Sequence, residues 1–237
     1  MKNGPMKNDR GIALILALLV TSFLSAVGLG LALVVFMDYL ASGNRKGSLG
    51  LLYAADAVLE LAARDVARAD WAEALSGAAL GTFTDGEPFG IRAIPGGGAL
   101  NLTAATNTLN CGEAAGCTAA QMDANSETRP WGANNPRWRL YAYGPLENLP
   151  QVARPGACYI AVWVADDGGE VDGNPLSDGA EAGRGILRVR SEAFGPMGSR
   201  RAIEAELARV CTVTAGGETC QPGIRVQSWQ EVHQLVP

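Results

Sequence analysis

"DRGIALILALLVTSFLSAVGLGLALVVFMDY", residues 9 to 39, is the stretch on which the fold turns. From Ile12 to Met37 it holds no charged residue, a run of 26 positions. As a helix it extends roughly 39 Å at about 1.5 Å per residue, and a bilayer core of about 30 Å needs only about 20 residues. A secretory signal has an apolar core of about 7–15 residues followed by a small-residue cleavage site. This run is longer and no such site follows Met37, so the segment is expected to stay attached to what comes after it. On these residues alone it is either an ordinary signal anchor or a helix with a further role.

The helical signal continues beyond the run in another form. Leu52, Ala55, Leu59, Ala62, Val66 and Ala69 recur at spacings of three and four and share one face. Glu60 and Arg64 are i, i+4 partners on the opposite side. Ser76-Gly77 ends the pattern. The economical expectation is one helix over residues 12–76, membrane-spanning over about 12–37 and amphipathic after that. "SGNRKGSLG", Ser42 to Gly50, contains three glycines. Each costs a helix interior about 1 kcal/mol relative to Ala, so a bend or local melting is expected there. Gly28 and Gly30, with Ala13, Ala17, Ala26 and Ala32, allow close approach of neighbouring helices; small residues are also common in any spanning helix.

The rest of the chain, residues 77–237, reads as a β-rich head. The chain has 237 residues, enough for one anchor and one moderate domain. Its net charge of −5 gives no reason to expect a nucleic-acid partner. Apolar residues at 48% argue for a packed domain despite 30 glycines and 12 prolines. "FGIRAIP", "RWRLYAYG", "ACYIAVWVA", "GILRVRSEAFG", "RRAIEAELARV" and "GIRVQSWQEV" alternate with period two between Gly, Pro, Asn and Asp. The clearest hairpin joins residues 186–194 to 200–210 through "GPMGS". A turn centred on Met197 sets Arg190 opposite Glu204 and Arg188 opposite Glu206 on a solvent face, with Leu187 facing Leu207 on the buried side. The expected fold class is α+β: a long helix whose second half packs on an antiparallel sheet.

The five cysteines, at 111, 117, 158, 211 and 220, all follow the apolar run, which fits an oxidising compartment outside the membrane. Lys2, Lys7 and Arg10 precede the helix while Arg45 and Lys46 follow it, so the charges orient it weakly. The cysteines favour an N-terminus inside and a C-terminus outside. Pairing by proximity joins Cys111 to Cys117 and Cys211 to Cys220. Cys158, sharing a strand face with Ile160, Val162 and Val164, is then a buried free thiol. A Cys158–Cys211 bridge is the main rival.

The loop "DDGGEVDGNPLSDGAEAG", residues 166 to 183, supplies hard oxygen ligands of the kind Ca2+ takes: Asp166, Asp167, Glu170, Asp172, Asn174, Asp178 and Glu181. The spacing is not that of an EF-hand and Pro175 interrupts it, so a solvated hairpin loop is the preferred reading and a Ca2+ site its alternative; no other cofactor is expected. Trp131, Trp138, Tyr141, Tyr143 and Trp163 read as core packing against the helix, with a contact surface as the alternative. The single histidine, His233, has no triad setting. There is no G-x-S-x-G elbow, no metal-spaced cluster and no phosphate-binding loop. "NLT" at Asn101 matches a glycosylation sequon, a frequent chance match.

A short charged leader ending in Gly11, an apolar helix beginning at once, and a soluble domain after it resemble a type IV pilin or pseudopilin precursor. "RGIALILALLV", Arg10 to Val20, resembles the start of minor pilins of the PilX type. "ASGNRKGSLGLLYAADAVLELAARD", Ala41 to Asp65, is similar to a segment of that group, with Asn44, Arg45, Ala54, Ala55, Asp56 and Leu59 in matching places. The match covers about the first quarter of the chain; the head resembles such proteins only through strands separated by an acidic loop. The resemblance implies a cytoplasmic leader, residues 1–11, removed by a membrane prepilin peptidase between Gly11 and Ile12, with methylation of the new amine. It implies a single-pass inner-membrane protein with a cytoplasmic N-terminus and a periplasmic head, later part of a pilus or pseudopilus. It also implies partners: other minor and major pilins and the inner-membrane assembly platform. Two positions depart from the family pattern. Ile12 stands where Phe is usual, and Leu16 where the fifth mature residue is usually Glu. In major pilins that Glu is thought to pair with a neighbour's amine, and a buried amine without a partner is costly. Leu16 thus points to a minor subunit at a tip or initiation complex rather than a repeating shaft subunit. K-type pseudopilins of type II secretion share the loss and are the alternative within the class. A signal-anchored periplasmic enzyme or binding protein is the alternative outside it.

Overall fold

The computed structural model describes residues 10–127, 137–149, 157–168, 174, 185–209, 211–214, 217–220 and 223–232. The chain divides into two compact units, Met1–Gly47 and Ser48–Pro237. The first helix, α1 (Arg10–Val66), supplies the described part of the first unit and continues into the second. It runs without interruption through Ser42–Gly50. The expected local melting there is absent, because the glycine penalty is spread over nine positions flanked on both sides by strong helix formers.

The helix ends earlier than its apolar periodicity suggests. After Val66 a turn leads to α2 (Trp71–Ser76), capped by Asp70, whose carboxylate accepts from the Ala72 N–H at 2.9 Å. Asp70 and Glu73 have the spacing of a helix-start signal. Gly77, at φ 80°, closes α2, so only the stop at Ser76-Gly77 falls where expected. The break is held from outside. The Arg209 guanidinium stacks on the Trp71 ring at 4.1 Å and bonds the carbonyls of Val66, the last residue of α1, and of Ala69 in the turn after it.

Next come β1 (Ile91–Ala93) and β2 (Ala99–Asn101), a small hairpin, then α3 (Leu102–Cys111) and α4 (Ala119–Glu127). Both helices are absent from the period-two reading of this region. Asn101 caps α3 through the Ala104 N–H, so the "NLT" asparagine starts a helix. Leu102, Ala105 and Leu109 carry the spacing that marks it.

The remaining strands are β3 (Arg139–Pro145), β4 (Tyr159–Asp166), β5 (Ile186–Phe194), β6 (Arg200–Ala208), β7 (Cys211–Thr214), β8 (Gly217–Cys220) and β9 (Arg225–Val232). An antiparallel sheet has the order β3-β4-β5-β6-β9, and β7-β8 is a separate hairpin between β6 and β9 in the chain. The six expected strand segments coincide with β1, β3, β4, β5, β6 and β9. The β5–β6 register is as expected: Leu187 opposite Leu207, Arg188 opposite Glu206, Arg190 opposite Glu204.

Alternation sends Ile160, Val162, Val164, Leu187, Val189, Ile203, Ala205 and Leu207 to one face of the sheet. There they pack with Leu51, Ala54, Ala55, Val58, Leu59, Ala62, Ala63 and Val66 of α1 and with Trp71 and Leu75 of α2. The α1 face is wider than the stripe read from the sequence. The opposite face carries a second cluster in which Trp138, Tyr143, Tyr159 and Trp163 pack with Ile94, Leu100 and Leu102. Trp138, Tyr143 and Trp163 therefore do not pack against the long helix as expected. They stand on odd positions between helix-facing residues, or are shifted by the irregularity between Leu140 and Ala142. Tyr141 alone of the described four joins the helix-side core, and Trp131 lies outside the described residues.

The two margins of the sheet differ. The outer edge of β3 is covered by residues 81–83, through Gly81 N–H to Tyr141 O at 2.8 Å and Tyr143 N–H to Phe83 O at 2.9 Å. Gly81 has no room for a side chain: a Cβ there would lie 2.8 Å from the Tyr141 ring and 2.9 Å from the Asp65 carboxylate. Along β9, no strand among the described residues pairs with the outer edge.

Candidate assembly surface

Every residue from Gly11 to Gly47 is exposed. The side chains include Ile12, Leu14, Ile15, Leu16, Leu18, Leu19 and Phe23, the last 68% exposed. A contiguous apolar surface of this extent marks a membrane or protein contact, and the helix is long and apolar enough to cross a membrane. The Thr21 hydroxyl donates to the Ala17 carbonyl at 2.9 Å, and the Ser25 hydroxyl to the Thr21 carbonyl at 2.8 Å. Both close on their own helix, as surroundings without water require. At Gly28 and Gly30 an added Cβ would meet nothing within 4 Å. Nothing in the isolated chain therefore demands glycine at these positions. Ala13–Ala17, Ala26–Gly30 and Gly28–Ala32 are small pairs at i, i+4, the spacing at which helix backbones come close. Gly11 and Ile12 lie in the first turn of α1, and Leu16 follows one turn later.

The second unit contains polar clusters that hold loops in place. Asp65, on α1, accepts from the Thr82 N–H at 2.9 Å and the Tyr141 hydroxyl at 3.2 Å, which ties the segment covering β3 to the helix. Burial, and then the Asp65 charge, raises the Tyr141 phenol well above its usual pKa. Asp85 accepts from the Tyr159 hydroxyl at 3.2 Å. Burial and then Asp85 raise the Tyr159 phenol in the same way. The Arg92 guanidinium donates to the carbonyls of Asp85 and Glu87 at 3.0 and 2.6 Å. Burial, with Arg137 adding to it, lowers the pKa of Arg139. The tie at Asn110 spans a long stretch of chain: its side-chain amide donates to the Trp138 carbonyl at 3.0 Å and accepts from the Trp138 N–H at 2.7 Å. Asp65, Asp85, Arg92 and Asn110 did not stand out in the sequence, because their partners are main-chain groups or side chains brought near only by the fold, and these leave no local pattern.

The charges of the β5–β6 hairpin also differ from expectation, although the register does not. Arg190 is only 3% exposed, between Glu204 at 2.6 Å and Glu192 at 3.2 Å. Arg188 reaches diagonally to Glu204 at 2.9 Å instead of bonding Glu206, and its guanidinium lies over the Trp138 ring at 5.4 Å. The aromatic layer on this face makes it an interior rather than a solvent face. Long guanidinium side chains reach the diagonal neighbour as readily as the direct one.

Cys111 and Cys117 are joined by a disulfide with a Cα–Cα separation of 5.8 Å, which ties the end of α3 to the segment before α4. Cys158 is a free, buried thiol in the helix-side core, so the rival bridge to Cys211 is not formed. Burial pushes its pKa up to about 11, leaving it protonated and a weak nucleophile at neutral pH. The backbone register places Cys211 opposite Cys220; their side chains lie outside the description. Of the acidic loop, Asp166 is buried at the end of β4, Asp167 half-buried and Asn174 exposed. Glu170, Asp172, Asp178 and Glu181 lie outside the described residues, as does His233. Among the described residues, no three His, Cys, Asp or Glu side chains are placed to hold a metal ion.

No family model, curated protein or solved structure matches the chain.

Proposed function

We propose that this protein is a membrane-anchored structural subunit of a type IV pilus or related filament, a minor pilin that acts in initiation or at the tip and performs no catalysis. One observation carries the proposal: a helix exposed and apolar on every side over its first 30 or so residues continues as the helix that packs an antiparallel sheet. Such a helix can lie in a bilayer before assembly and among similar helices after it. The small pairs at Ala26–Gly30 and Gly28–Ala32 suit the second environment. The cysteines support a sheet-bearing unit on the oxidising side, with the N-terminus in the cytoplasm. A Cys211–Cys220 bridge belongs to this proposal.

The minor role rests on Leu16. Between Ile12 and Met37 there is no carboxylate, so a neighbour's buried amine would find no partner in this helix, at a cost of several kcal/mol per subunit. A subunit used once at a tip meets that environment at most once. A K-type pseudopilin fits Leu16 equally well, and abundance in sheared pili against the secretion pseudopilus separates the two.

Mass spectrometry of the mature N-terminus tests the proposal. Expressed with a prepilin peptidase, the chain should begin at Ile12, and Gly11→Val should accumulate with the leader attached. A mature chain retaining the leader, or cut beyond Met37, overturns it.

A further inference from the structure

Strand β9 is open along its main chain and on both of its sides. It pairs with β6 from Ala202 to Ala208, and no strand among the described residues pairs with its other edge. Such an edge presents a row of main-chain donors and acceptors that an extended segment can satisfy. The register with β6 is regular from Ser228 to Val232 and shifts once, between Ser228 and Val226. Neither Lys nor Pro, two residues with which proteins blunt an edge, occurs in β9. Every residue from Arg225 to Gln230 is exposed, so the second unit covers neither side of this part of the strand.

Register assigns the side chains of β9 to faces. Val226 is opposite Leu207 and Trp229 opposite Ala205, on the side that meets α1. Arg225, Ser228 and Gln230 are opposite Ala208, Glu206 and Glu204, on the other side. Val226 is 56% exposed and Trp229 50%. The Trp229 indole N–H donates to the Asp56 carboxylate of α1 at 3.0 Å, which fixes the ring while half of it stays open. A ring already held in place loses little freedom when a partner covers it. Arg225 is exposed and has no carboxylate partner among the described residues. Trp and Arg are the side chains enriched where binding energy concentrates. This pattern defines what fits: a segment that is apolar beside Val226 and Trp229, and acidic on the opposite side, beside Arg225. A second β9 brings no such acid, because its own residues on the Arg225 side are Ser228, Gln230 and Val232.

We infer that the β9 edge takes an extended peptide segment of another protein as an added strand, apolar on one side and acidic on the other, with Trp229 and Arg225 selecting it. The contact is independent of the filament role proposed above. Its test uses the isotope-labelled full chain in detergent micelles and a synthetic octapeptide that alternates Val with Glu and Thr. Two further peptides carry N-methyl groups on alternate amides, one on the odd and one on the even residues. A fourth has Lys in place of Glu. Amide exchange and the Trp229 indole resonance are followed by nuclear magnetic resonance. The expected result is slowed exchange at alternate amides of β9 and a displaced Trp229 resonance. One N-methylated peptide, the one methylated toward the edge, should bind about tenfold or more weakly, and the other should bind as the parent does. Arg225→Glu, at an exposed position, should reverse the preference between the Glu and Lys peptides. No protection of β9 at millimolar peptide overturns the inference. Equal binding of both N-methylated peptides overturns it in favour of side-chain contact alone. Protection of β9 that rises with protein concentration, without peptide, overturns it in favour of a second copy.

Discussion

The two stretches of α1 on either side of Ser48 form one uninterrupted helix and meet opposite fates. From Gly11 to Gly47 every side chain is exposed, Leu, Ile, Val and Phe included. From Leu51 to Val66 eight residues are buried on one face. Helix propensity does not separate them, since both are rich in Ala and Leu. What separates them is whether this chain supplies the surface they need. The sheet supplies it for the second stretch, where charged residues such as Asp56, Glu60 and Arg64 keep the other side wet. Nothing among the described residues supplies it for the first.

The sharpest test is a pair of identical truncations. Leu59 is 4% exposed and Leu24 61% exposed. Leu59→Ala should destabilise the second unit by about 2–5 kcal/mol, the cost of removing an isopropyl group from a packed core. Leu24→Ala should change its stability by less than about 0.5 kcal/mol. Denaturant unfolding of the detergent-solubilised chain, followed by tryptophan fluorescence, measures both. Equal effects would break the contrast.

Alkali should also distinguish the two stretches. Cys158, beneath the packed half of α1, has a folded pKa of about 11 against an ordinary value of 9.0, so the fold favours the protonated thiol. Its contribution is fully present below pH 9 and is lost as pH rises through 11, amounting to about 2–3 kcal/mol. Tyr141 and Tyr159, raised in the same sense, extend the loss to higher pH. The unfolding midpoint should fall from pH 9 to 11, and Cys158→Ala should remove the first part of the fall. No titratable side chain lies between Gly11 and Met37. The helical circular dichroism of a peptide covering that run, in detergent, should not change across the same range.

The smallest effect is expected at the glycines of the exposed run. Gly28→Ala and Gly30→Ala meet no steric obstacle and should each stabilise the helix by about 1 kcal/mol or less. If close helix approach uses these positions, incorporation into filaments should fall although the helix itself is firmer. Unchanged incorporation would remove Gly28 and Gly30 from the proposed packing surface.

How far the fold was legible follows from the range of the forces involved. The long helix, the helix-facing stripe and the β5–β6 register were readable because periodicity is local and one register satisfies both faces. The break after Val66 was written in Asp70 and Glu73 but masked by the apolar pattern running across it. Helix α3 was hidden in the same way behind a sequon-like Asn101. The burial of Arg190 was not readable, because it depends on aromatic residues from β3 and β4 meeting over the hairpin. Of the candidate surface, the apolar run was evident from composition. The positive φ of Met197 was not, because its sequence context, "GPMGS", announces only a turn.

The unequal margins of the sheet have a consequence for growth. The β3 margin is sealed by a short piece of the chain's own backbone, which Gly81 and Gly144 let approach so closely, and no further strand can join there without displacing it. Among the described residues, the margin that no strand pairs with is that of β9, where an added strand could join. The sheet therefore has a polarity at the level of architecture, with one terminus closed and one extensible. Two copies could extend each other only β9 to β9, a closed pair, and never head to tail into an open fibre. For a subunit assembled among similar proteins, as proposed here, such a margin would keep the described strands from polymerising through their edges.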